Sequence, residues 1–340
     1  MRAVRFHRQG PPDVLQVDTL EPPTPGPGEV LIDVRAASVN HLDIWVRREL
    51  PRIPTPRIPG ADAAGIVAAV GAGVGRVQVG DRVLIDPGIS CGACTRCVQG
   101  HASLCATYGI QGESCDGTYV EQKVVAERAV LPMPSGWSFA EAASFPLVAL
   151  TAWRMLLVRG RLEPAETVLI LGAAAGVGVM CIQIAKLAGC RVIATASTAD
   201  KRDLCSQLGA DHVLDYTQAG WQKEVRGLCR GGVDATVDYV GEATWRDSVK
   251  LTRSGGRILT CGATTGAAPP AELTHIFFRQ LSVIGSTMGS RADLEAALAA
   301  ADRGLLRPVL DRSLPLADAA VAHQLIEDRQ VLGKLALTME

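Results

Sequence analysis

The chain is poor in aromatic residues, in net charge and in anything resembling a secretion signal, and each shortage closes off possibilities. Phe, Trp and Tyr make up 4% of the 340 residues, so a pocket in this protein is built mainly from aliphatic side chains. The formal net charge is −1, which leaves no general basic field to draw the chain to nucleic acid or to a membrane surface. The opening residues, MRAVRFHRQGPPDV, have no apolar core and do not read as a signal peptide, and the expected location is cytoplasmic. Ten cysteines in such a chain argue for reduced thiols rather than a disulfide framework. One run, TVLILGAAAGVGVMCIQIA (167–185), is uncharged over about the length of a membrane span. Glycines interrupt its middle, and a strand, a turn and a buried helix explain it better. No membrane partner is expected.

A chain of 340 residues exceeds what one hydrophobic core usually supports, so two domains are expected. Residues 1–130 read as β structure with irregular loops: EVLIDVRAASV and GIVAAVG are short β-branched runs, punctuated by PPTPGPGE and PRIPTPRIPG. From residue 167 the rhythm changes. Strand-like runs TVLIL, RVIAT, HVLDY, VDATVDYV, GRILTCG and LSVIGST alternate with helical patterns such as GVGVMCIQIAKLAG and ADKRDLCSQLG. Crossovers of that length specify an α/β fold with a doubly wound parallel sheet. The tail from residue 291 breaks this rhythm and is expected to return to the first domain.

The strand TVLIL runs straight into GAAAGVG, Gly172 to Gly178, and then into a helix. There the chain must turn sharply and let a pyrophosphate approach its backbone, with the N–H groups of a helix N-terminus behind it. Which dinucleotide binds depends on the end of the second strand, where an NAD site wants a carboxylate for the ribose 2′-hydroxyl. The sequence has Ala196 and Ser197 there, with Lys201 and Arg202 a few residues on. Asp200, the nearest acid, falls at a helix start and reads as a cap. A small polar residue followed by cations suits a 2′-phosphate, so NADPH is expected over NADH.

Taken together, GPGEVLIDVRAASVNHLD, PGADAAGIVAAVG, VGDRVL, the cysteine-rich CGACTRCVQGHASLC, LTAW, GAAAGVG and the terminal GKLAL resemble the medium-chain dehydrogenase/reductase superfamily over essentially the whole chain. The resemblance implies a GroES-like, partly open β-barrel catalytic domain from residues 1–148 and 290–340. It also implies a Rossmann domain over 149–289, and an active site in the cleft between the two. Alcohol dehydrogenases of this superfamily carry two zinc sites. The lobe site matches at Cys91, Cys94, Cys97 and Cys105; four thiolates close a tetrahedral shell and leave no place for substrate, as in a structural zinc site. One zinc per chain is expected. A DNA-reading zinc ribbon would want two knuckles farther apart on a basic surface. The other six thiols, mostly flanked by apolar residues, read as buried and inert.

The catalytic zinc site does not match. Its three ligand positions align with Asn40, Ala61 and Leu147, and Asp62 keeps only the acid of the middle motif. The resemblance is to the quinone oxidoreductase branch, with the zinc lobe retained. It places Asn40 and Asp43 near the nicotinamide, with His41 the only near-neutral titratable group beside them. Thr151 is similar to the threonine that contacts nicotinamide. Gly176, Val177 and Gly178 are to cradle the phosphates, while Ser197, Lys201 and Tyr216 resemble the 2′-phosphate set. Gly262 and Ala263 lie beneath the ribose, and Lys334, in the terminal GK, is counted with the cofactor-binding residues. Arg47 and Arg48 read as a solvated helix end, and Trp45 and Trp153 as pocket or core.

Without a Lewis acid, forming an alkoxide has no obvious support, whereas hydride addition to an activated double bond needs only a few hydrogen-bond donors. The expected function is therefore an NADPH-dependent oxidoreductase acting on quinones or α,β-unsaturated carbonyls as small-molecule substrates. An alcohol or aldehyde dehydrogenase using His41, and a catalytically silent NADPH-binding protein, are the alternatives. LSVIGST reads as an uncovered sheet edge, so a homodimer or homotetramer is expected.

Overall fold

A run of eleven residues, Glu29–Val39, buries Val30, Ile32 and Val34 and leaves Glu29, Leu31 and Asp33 less enclosed, and it forms the longest strand among the described residues. In a computed structural model that describes residues 1–339, the strands are, in chain order, β1 (Arg2–Phe6), β2 (Leu15–Thr19), β3 (Glu29–Val39), β4 (Asp62–Val70), β5 (Arg82–Ile85), β6 (Gly88–Ile89), β7 (Gly109–Ile110), β8 (Gln122–Ala126) and β9 (Val130–Pro132). Six strands of a second unit follow: β10 (Thr167–Ile170), β11 (Arg191–Ala196), β12 (His212–Asp215), β13 (Val233–Val237), β14 (Thr252–Thr260) and β15 (Ser282–Gly285). The chain then closes with β16 (Leu310–Pro315) and β17 (Lys334–Thr338).

Two compact units result. The first comprises Met1–Leu147, Ser290–Asp302 and the C-terminal segment from Arg307; the second comprises Val148–Gly289 with Arg303–Leu306. In the first, a seven-stranded sheet runs β16-β17-β3-β4-β5-β9, with β8 also paired to β3. Val30, Ile32, Val34, Val67, Val83 and Ile85 turn inward from β3, β4 and β5 to make one core. The register matters for function. Antiparallel pairing sets Ser38 opposite Asp62 and Leu335 opposite Val39, so the end of β3 and the starts of β4 and β17 meet at one place.

In the second unit six parallel strands run in the order β12-β11-β10-β13-β14-β15. The order reverses between β10 and β13, and such a switch point is where a doubly wound sheet binds its ligand. The uncharged run at 167–185 resolves into β10 and a helix over Gly176–Leu187 whose residues from Gly178 to Ala185 are all buried. A different stretch, Phe139–Arg159, is long and apolar enough to cross a membrane, yet 78% of its most apolar window is buried within the protein.

Candidate functional site

Two of the three positions read as replaced zinc ligands, Asn40 and Leu147, meet at one carboxylate, that of Asp62. Asp62 is fully buried at the start of β4. Its Oδ1 accepts from the backbone N–H of Leu147 at 2.9 Å, and its Oδ2 accepts from Asn40 Nδ2 at 2.8 Å and from Ser38 Oγ at 3.1 Å; Ala61 precedes it in the chain. Burial pushes the Asp62 pKa up, and the Lys334 ammonium, 3.7 Å from Oδ2, works against that rise. Lys334 itself is 3% exposed. It donates to Val39 O at 2.8 Å and to Asn40 Oδ1. The acceptors that Lys334 meets thus belong to the first unit, at the end of β3.

Asp43 is buried close by. It lies in the first turn of the helix His41–Arg48, where its carboxylate accepts from the backbone of Asn40 at 2.7 Å and of Gly60 at 3.2 Å, and from Tyr119 Oη at 3.1 Å. With 1% exposure, it is enclosed by these donors. Burial pushes its pKa up to about 7. Behind it runs a directed chain of hydrogen bonds. Arg47 can only donate, so Nδ1 of His323, at 3.2 Å, accepts. Nε2–H then donates to Tyr119 Oη at 3.2 Å, which passes its own hydrogen to Asp43. Burial, followed by the charge of Arg47, lowers the His323 pKa to about 3 and keeps the ring neutral.

Arg47 is thus no solvated helix end. Its side chain is 0% exposed and pairs with Glu327 at 2.6 Å. Arg48 remains exposed. His41 sits edge-on to Trp45, with ring centroids 4.9 Å apart, and burial lowers its pKa. Sequence reasoning missed Tyr119, His323 and Glu327. A lone histidine on the helix Ala319–Glu327 gives no signal that separates it from an ordinary core residue.

In the second unit the loop after β10 fits a pyrophosphate. Gly172 has φ +62° and is tied down through Tyr239 Oη, which donates to its carbonyl at 2.7 Å. A Cβ on Gly178 would come within 2.4 Å of that same hydroxyl and 2.5 Å of Ala173 O, so only glycine lets the helix start there. The N-cap, Ala175, makes no side-chain cap bond; the first-turn N–H groups of Gly176, Val177 and Gly178 are left for an anion. At the end of β11, Ala196 is 2% exposed. The cap of the next helix is Thr198, accepting from Lys201 N at 3.4 Å, rather than Asp200. Arg202 donates to Ser197 O and to Asp215 Oδ2, both at 2.8 Å, and so fixes the loop bearing Ser197. Tyr216 is part-exposed beside it. Thr151 is buried and donates to Met288 Sδ at 3.8 Å. Gly262 O accepts from Thr260 Oγ1 at 3.2 Å, and Ala263 lies against Gly241.

The cysteine lobe hangs from a neck closed by the antiparallel pair β6 and β7. Sulfur–sulfur separations are 3.5 Å for Cys94–Cys97, 3.6 Å for Cys91–Cys105 and 3.8 Å for Cys91–Cys97. All four sulfurs lie within 4.8 Å of one another. A tetrahedral zinc with bonds of about 2.3 Å has sulfur–sulfur edges of about 3.8 Å, so the four thiols fit the ion. Among the described residues no other group of three or more His, Cys, Asp or Glu side chains is placed to hold a metal. Of the remaining cysteines, Cys181, Cys190 and Cys205 are buried, while Cys115, Cys229 and Cys261 are only part-buried.

Comparison with known proteins follows this division. Residues 26–135 match the alcohol dehydrogenase GroES-like domain and residues 176–303 the zinc-binding dehydrogenase domain. An alcohol dehydrogenase from Geobacillus stearothermophilus is 34% identical over 96% of this chain and 96% of its own length. A quinone oxidoreductase from Pseudomonas aeruginosa is 31% identical over 99% of both. Among solved structures, an NAD-dependent alcohol dehydrogenase is 45% identical, covers 100% of both chains and superposes with a TM-score of 0.97.

Proposed function

The chain belongs to the zinc-type, alcohol dehydrogenase-like medium-chain dehydrogenase/reductase superfamily and is an NAD(P)-dependent oxidoreductase; from this we propose that it is an NADPH-dependent reductase of quinones or α,β-unsaturated carbonyls, working without a catalytic zinc. One observation carries the reading. At the three positions Asn40, Ala61 and Leu147 have an amide, a methyl and an isobutyl group as side chains, with Asp62 held by the Asn40 amide and the Leu147 backbone, and such a set cannot assemble an open zinc site. An acceptor whose own carbonyl spreads the incoming charge needs only donors such as the Asn40 amide. The P. aeruginosa relative, named a quinone oxidoreductase, supports this reading. The second reading, alcohol or aldehyde dehydrogenation, is favoured by the names of the Geobacillus relative and of the 45%-identical structure.

A panel of quinones, enones, enoyl thioesters and aldehydes, each with both reduced nucleotides, tests the choice. Turnover of quinones or enones at least tenfold above aldehydes is the expected result. Aldehydes alone being reduced would transfer the conclusion to the second reading.

The proposed assembly is at least a homodimer, which β15 and the neighbouring helix would join. Val283 on that edge strand is 45% exposed, and Leu273, Phe277 and Phe278 on the helix Leu273–Phe278 are 67%, 62% and 75% exposed. A parallel sheet ending in an apolar, uncovered edge is suited to pairing with its own copy. Light scattering at micromolar concentration is expected to give a dimer or larger, and Phe277→Ser/Phe278→Ser to shift it toward monomer. A wild type that is monomeric throughout would remove the proposal.

A further inference from the structure

Asn40 is gripped from both sides. An ammonium can only donate, so the atom that Lys334 meets is the amide oxygen, and Nδ2 is left facing Asp62 Oδ2 at 2.8 Å. The orientation of the amide is thus dictated by its partners. Asp62 takes one of the two Nδ2 hydrogens, and no acceptor for the other is found among the described residues. The sequence neighbours of this pair do not explain it; the ladder does. Leu335 opposite Val39, and Ser38 opposite Asp62, place Lys334 against the end of β3, 294 residues away in the chain.

We propose that Lys334 is a positioning residue for hydride transfer: it holds the Asn40 amide so that its second N–H meets the carbonyl oxygen of the acceptor, and its charge strengthens that N–H as a donor. This rests on the reductase reading above. In the step concerned, the acceptor's β-carbon gains a hydride from the reduced nicotinamide. The double-bond electron pair moves onto the α-carbon and carbonyl oxygen as an enolate, and a solvent proton at the α-carbon completes the saturated product. The dinucleotide leaves oxidised. Negative charge appears on the oxygen only after the hydride arrives, so a donor fixed beforehand by a buried cation acts on the transition state more than on the bound substrate. Asp62 completes the arrangement by holding both partners, with its own carboxylate further tied by Ser38 and Leu147.

The test measures kcat, KM and dinucleotide affinity for the wild type, Lys334→Met, Lys334→Arg, Asn40→Ala and Lys334→Met/Asn40→Ala. Lys334→Met removes a charge-assisted contact, and a loss of roughly tenfold to hundredfold in kcat is expected, with dinucleotide affinity within about threefold. Lys334→Arg restores part of it. The double variant is no slower than the slower single variant, because both act through one donor.

Lys334→Met leaves Asp62 buried beside no cation, so Lys334→Met/Asp62→Asn, neutral at both positions, is measured as well and shows the same loss in a folded protein. A second readout needs no turnover: 4-nitrophenolate, an oxyanion that cannot be reduced by hydride addition at carbon, binds wild type more tightly than Lys334→Met by a similar factor. Multiplying losses in the double variant, or unchanged kcat with dinucleotide affinity down tenfold or more, would overturn the proposal. Wild type that turns over only alcohols or aldehydes sinks the reductase reading instead, and the pairwise test is then read on those substrates and on nitrophenolate binding.

Discussion

The cysteine lobe and the Asp62 site lie in the same unit and answer the same electrostatic need in opposite ways. At the lobe four thiols stand within 4.8 Å of one another, and thiolates brought that close call for a shared cation. Around Asp62 the donors are an amide, a hydroxyl and a backbone N–H, and the cation is Lys334, supplied by the chain itself. A metal brings an open coordination position that can take a substrate oxygen; a lysine with its donors engaged does not. The lobe has the geometry to take its charge from an ion, while Asp62 is faced by a charge of the chain's own.

Emptying the lobe breaks this comparison most severely. Structural zinc in a small cysteine site contributes on the order of 10 kcal/mol of apparent binding free energy that is also folding free energy. Cys94→Ser is expected to leave the lobe unfolded and the protein poorly soluble, with turnover per folded molecule nearly unchanged. Elemental analysis is expected to give one zinc per chain. Two would mean that the residues around Asp62 hold a metal after all, and normal folding with lost turnover in Cys94→Ser would make the lobe the catalytic site.

A smaller effect probes the other side. Asp43 has a folded pKa of about 7 against roughly 3.9 in an unfolded chain. Between those values the folded protein holds a proton that the unfolded chain has released. Its contribution to stability is fully present below about pH 4 and is lost as pH rises through 7, at up to about 1.4 kcal/mol per unit. Asp43→Asn keeps an acceptor oxygen and removes the titration. Melting curves from pH 5 to 8 are expected to fall more steeply for wild type than for Asp43→Asn. Parallel curves would show that Asp43 is ionised throughout, with Lys334 compensating both buried acids.

The contrast between the two sites also marks what could be read in advance. The cysteine spacing is local, and so is the strand–helix alternation that encodes β10 to β15; both are written in short stretches of sequence. The site around Asp62 is not local. Nothing near Lys334 in the sequence points to Asn40; only β17 laid beside β3 makes its side chain a partner for that amide. Arg47 looks solvated because its counter-charge, Glu327, lies 280 residues away. Asp43 looks catalytic because an acid beside Asn40 reads the same whether it faces substrate or caps a helix. Charge that has been buried by a distant element leaves no pattern in its own neighbourhood.

Lys201 supplies the mildest test, and it sets one lysine against the other. Lys334 is enclosed and committed to protein acceptors, while Lys201 is half-buried in the first turn of the helix Ala199–Gln207, beside a strand end that offers Ala196 where a carboxylate would repel a phosphate. If Lys201 pairs with the 2′-phosphate of NADPH, one charge-assisted contact of roughly 1.5–3 kcal/mol is at stake, and about 1.4 kcal/mol is tenfold in binding. Lys201→Ala is then expected to weaken NADPH by about tenfold to a hundredfold and to leave NADH, which lacks the phosphate, almost unchanged. Ala196→Asp should reverse the preference, since the new carboxylate repels the phosphate and accepts from the 2′-hydroxyl. The 45%-identical structure is named NAD-dependent, so the preference is an open contest between these few side chains. Fluorescence titration of both nucleotides against wild type, Lys201→Ala and Lys334→Met decides it. Selective loss of NADPH in the first variant and of neither nucleotide in the second would give the two lysines separate roles, whereas equal losses of NADH and NADPH in Lys201→Ala would show that it does not read the phosphate.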